Sequence, residues 1–108
     1  MKILISTSNS AVVDAITKAV KDCRMKLHGL TQQRDHVFVA FNCSEKRAPV
    51  DKDGRSSLMS KLSDNTPEGW EFIGLVKVDS TIMDLDDANY VVLKITFERN
   101  GHENYTKY

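Results

Sequence analysis

The stretch Thr66-Pro67-Glu68-Gly69-Trp70-Glu71-Phe72-Ile73-Gly74-Leu75-Val76-Lys77-Val78 decides the fold. It opens on a Pro-Glu-Gly turn, carries the single tryptophan of the chain, and continues as a strand-like run. Read at period two, Trp70, Phe72, Gly74, Val76 and Val78 share one face, and Glu71, Ile73, Leu75 and Lys77 the other. The natural partner is Asn89 to Arg99, where Val91, Leu93, Ile95 and Phe97 alternate with Tyr90, Lys94, Thr96 and Glu98 while Val92 interrupts the polar set. The two runs predict a long antiparallel hairpin. The acidic connector between them, Ser80 to Ala88, holds three sizeable apolar residues.

Working outward, Ser44 to Arg55 is a charged loop, and Ser56 or Ser57 can cap a short helix through about Asp64 that turns Leu58, Met59 and Leu62 inward. His36 to Asn42 is rich in β-branched and aromatic residues on both faces, which predicts a central strand. Val12, Ile16, Ala19, Val20, Cys23 and Leu27 recur at helical steps, predicting one long amphipathic helix over 10–28 that ends at Gly29. Lys2 to Ser6 reads as a first strand. The expected fold is a two-layer α+β domain of order β-α-β-α-β-β. One long and one short helix would cover one face of a mostly antiparallel four-stranded sheet. Residues 1–100 form the domain and 101–108 a polar tail.

The segment from about His36 to Arg99 resembles a group of small bacterial and phage domains of unknown function. Their shared pattern is a Leu-bearing short helix, then Gly-Trp-Glu and a strand, then a final strand ending near an Arg. Here these are Leu58-Met59-Ser60-Lys61-Leu62, Gly69-Trp70-Glu71 and Tyr90 to Arg99. The resemblance implies the fold and no activity. Gly69 and Trp70 also have a purely structural explanation: a turn needing glycine, and a large side chain buried between helix and sheet.

Composition narrows the function classes. At 108 residues the chain can bury a modest core unaided. Fifteen Lys plus Arg balance fifteen Asp plus Glu, so no general attraction to nucleic acid is expected. No apolar run is long enough to span a bilayer, and Ile3-Leu4-Ile5 is too short for a signal segment, so the chain reads as cytoplasmic. Cys23 and Cys43 read as free thiols.

Chemistry is sparse. His28, His36 and His102 lie far apart, the two cysteines lack zinc spacing, and Asp51-Lys52-Asp53-Gly54 and Asp84-Leu85-Asp86-Asp87 read as solvated turns; no metal and no cofactor is expected. There is no Gly-x-Ser-x-Gly elbow and no nucleophile beside a base. The preferred reading is therefore a non-catalytic module that binds another protein, of the phage accessory or host-inhibitor kind, with self-association as a related option. Ile82, Met83, Leu85 and Asp86 in the acidic connector are its candidate binding residues, their alternative role being a lid over the core edge. The runner-up is a small-ligand or nucleotide site at the hydroxyl-rich strand–helix turn Ser6, Ser8, Asn9 and Ser10. A third reading places a nucleic-acid contact at the basic loop Lys46, Arg47, Lys52 and Arg55.

Overall fold

A computed structural model describes the backbone of residues 2–33 and 36–99, and the side chains from residue 11 onward within those ranges. The proposed tail 101–108, with Asn100, Arg34 and Asp35, lies outside the described residues.

The elements follow as α1 (Lys2–Asp22), β1 (Gly29–Gln32), β2 (His36–Asn42), α2 (Lys52–Asp64), β3 (Trp70–Val78), a 3-10 helix (Ser80–Met83) and β4 (Tyr90–Arg99). The four strands make one antiparallel sheet in the order β1-β2-β4-β3. The fold is α+β, with one long and one short helix against a four-stranded antiparallel sheet. β2 is central as its two apolar faces require, and β3 and β4 form the expected hairpin.

The predicted first strand over Lys2 to Ser6 is helix instead, and the sheet takes its fourth strand from Gly29–Gln32. No Gly or Pro occurs before Gly29, so nothing stops the helix from running back through the β-branched residues. Intrinsic strand preference is a weak force beside that continuity.

The long helix also ends six residues early. Arg24 takes the left-handed conformation (φ 60°), its N–H donates to the Lys21 carbonyl at 2.9 Å, and the Met25 N–H to Val20 at 3.0 Å. This paired closure is normally built on glycine. Met25 and Leu27 then reach the core from an extended segment, not from the helix.

α2 starts four to five residues before the predicted Ser cap. Asp51 caps it, its Oδ1 accepting from the Gly54 N–H at 2.8 Å. The Asp-Lys-Asp-Gly sequence is thus the first turn of a helix. Gly54 is needed there because a Cβ would stand 3.0 Å from the Pro49 Cα and 3.2 Å from the Ala48 carbonyl oxygen.

One core joins the layers. Val12, Ile16, Ala19, Val20 and Cys23 of α1 and Leu58 and Leu62 of α2 pack on Val37, Val39 and Phe41 of β2 and Val91, Leu93, Ile95 and Phe97 of β4. Each large aliphatic side chain so buried contributes about 1.5–3 kcal/mol. Trp70 sits half-buried at the margin with the Arg99 guanidinium 5.2 Å from its ring centroid.

Candidate interaction surface

The geometry of the far side of the sheet depends on one residue of β3. Phe72 pairs with Phe97 and Gly74 with Thr96, leaving Ile73 as the extra residue of a bulge. The alternation read from sequence therefore holds only through Phe72. Beyond the bulge Leu75 joins the core side opposite Ile95, and Gly74, Val76 and Val78 turn to the outer side opposite Thr96, Lys94 and Val92. The signal was present in the sequence: a lone glycine within a strand marks a bulge or a close approach.

The outer face has two halves. In the covered half the 3-10 helix packs back on β2 and β4. A Cβ on Gly29 would stand 3.7 Å from the Met83 methyl, and Ala40 and Val92 are fully buried. This explains why Val92 interrupts the polar positions of β4. In the uncovered half, the register aligns Thr31, Phe38, Lys94 and Val76 across all four strands, with His36, Thr96 and Gly74 as the next row. Val76 is 55% exposed and Ile73 48%. The His36 and Phe38 rings stand edge to face, 5.0 Å apart.

The connector residues singled out from sequence are divided by this arrangement. Met83 and Leu85 are half-buried and Ile82 is 51% exposed. Asp86 accepts from the Asn89 N–H and side-chain amide at 3.0 and 2.9 Å. Its neighbours act likewise: Asp79 caps the 3-10 helix through Thr81, and Asp87 accepts from the Ser80 N–H at 3.1 Å. The buried Ser80 hydroxyl donates to the Tyr90 carbonyl at 3.0 Å. Hydrogen bonding from the Ser80 side chain and N–H to Asp87 holds that carboxyl below its ordinary pKa. The acidic connector is thus built to fix the 3-10 helix on the sheet.

The other two candidate sites fare differently. Ser6, Ser8, Asn9 and Ser10 lie inside α1, so the strand–helix turn assumed for them does not exist; their side chains are outside the described residues. Lys46 and Arg47 lie in an exposed loop, while Lys52 and Arg55 belong to the first turn of α2. Arg55 donates to the Val50 carbonyl at 3.1 Å. Lys46, Arg47 and Lys61 line an open groove of about 830 Å³, together with Asp22, Asp51 and Asp53. Three cations interleaved with three carboxylates give that groove no net field for phosphate. Cys23 at its floor has its thiol pKa pushed up by burial, which disfavours the reactive thiolate. Both Cys23 and Cys43 are free thiols.

Among the described residues no group of three or more His, Cys, Asp or Glu is placed to hold a metal ion. No helix there is long and apolar enough to cross a membrane. No family model, curated protein or solved structure matches the chain.

Proposed function

We propose that this chain is a non-catalytic module that binds another protein through the uncovered half of its outer sheet face. The observation that carries this reading is the exposure of Val76, in one row with Lys94 and the half-buried Phe38, on the side of the sheet opposite the core that α1 and α2 cover among the described residues; Ile73 at the neighbouring bulge is exposed too. Outward positions of an antiparallel sheet with one solvated face are ordinarily polar. Apolar side chains there, Phe38 and Val76 on either side of Lys94, lose water only when something covers them. Ile82, on the 3-10 helix that covers the other half, is also exposed. An accessory or inhibitor role of the phage kind is one use of such a module.

The test compares the tagged chain with an Ile73→Asp, Val76→Asp variant in affinity capture from lysate of the source cell. Both positions are exposed, so circular dichroism of the variant should match the parent. A protein retained stoichiometrically by the parent and lost from the variant is the expected result. Equal retention by both, or none by either, overturns the reading.

A further inference from the structure

We draw no further inference here: the strongest candidate, the surface patch of Phe38 and Val76 on the outer side of the sheet, belongs to the site already described, and nothing in the structure shows what covers it.

Discussion

At the scale of single residues, two backbone positions carry opposite lessons about glycine. Gly69 has φ 87° at the third place of the Pro67–Trp70 turn, whose closing bond runs from the Trp70 N–H to the Pro67 carbonyl at 3.1 Å. A side chain there faces the left-handed penalty, so Gly69→Ala should lower stability by about 1–2 kcal/mol in urea unfolding. Arg24 sits in the same region of backbone space with a side chain attached. Arg24→Gly should therefore raise stability by about 0.5–1 kcal/mol, read as a denaturation temperature a few degrees higher. The sequence announced the first position through Pro-Glu-Gly. It could not announce the second, because an arginine bears no mark of the conformation that helix closure imposes.

At the scale of elements, the 3-10 helix is where packing reassigns sequence features. The sequence leaves Met83 two roles, an interface anchor or part of a lid over the core edge; the structure sets it over Gly29. Met83→Asp should therefore destabilise the fold by about 1–3 kcal/mol, through a charge set on the half-buried place over Gly29. Ile82→Asp, one residue away and exposed, should stay within about 0.5 kcal/mol in the same denaturation assay. The element also responds to acid. Asp87 has a folded pKa below its unfolded value, so its contribution is present above about pH 4 and is lost as pH falls through the lower, folded value. Asp22 behaves in the same sense, lowered first by the hydrogen bond from Asn65 and then by Lys18. Unfolding measured across a pH series should show stability falling below about pH 4, and Asp87→Asn should flatten part of that slope.

At the scale of the whole molecule, the described residues bury one face of the sheet under two helices and cover half of the other with the 3-10 helix. At the end of the outer side away from the 3-10 helix the register sets Glu71 opposite Glu98, and the cost of that like pair can be read in the chain itself. Glu98→Lys replaces a like pair by an opposite one across the hairpin. It should raise stability by about 0.2–1 kcal/mol, a gain that shrinks as salt is added.

The sequence by itself determined the α+β class, the central place of His36–Asn42, the β3–β4 hairpin and the glycine turn that opens it. These rest on local periodicity and on turn chemistry, which act over a few neighbouring residues. The candidate surface is scarcely legible in the sequence: the connector marks Ile82, but period-two reading of β3 puts Val76 on the face of Trp70, and nothing local marks Phe38 or Ile73. Tertiary structure alone decided the start of α1, the source of the fourth strand, and the packing of the 3-10 helix back on β2 and β4 with Met83 over Gly29. It also decided the face of Val76, because one extra residue in β3 exchanges inside for outside along everything that follows. Whether a strand keeps that extra residue depends on how Trp70, Phe72 and Leu75 all reach one core while β4 stays unbroken beside them. That balance is struck between residues distant in sequence, which local patterns do not record.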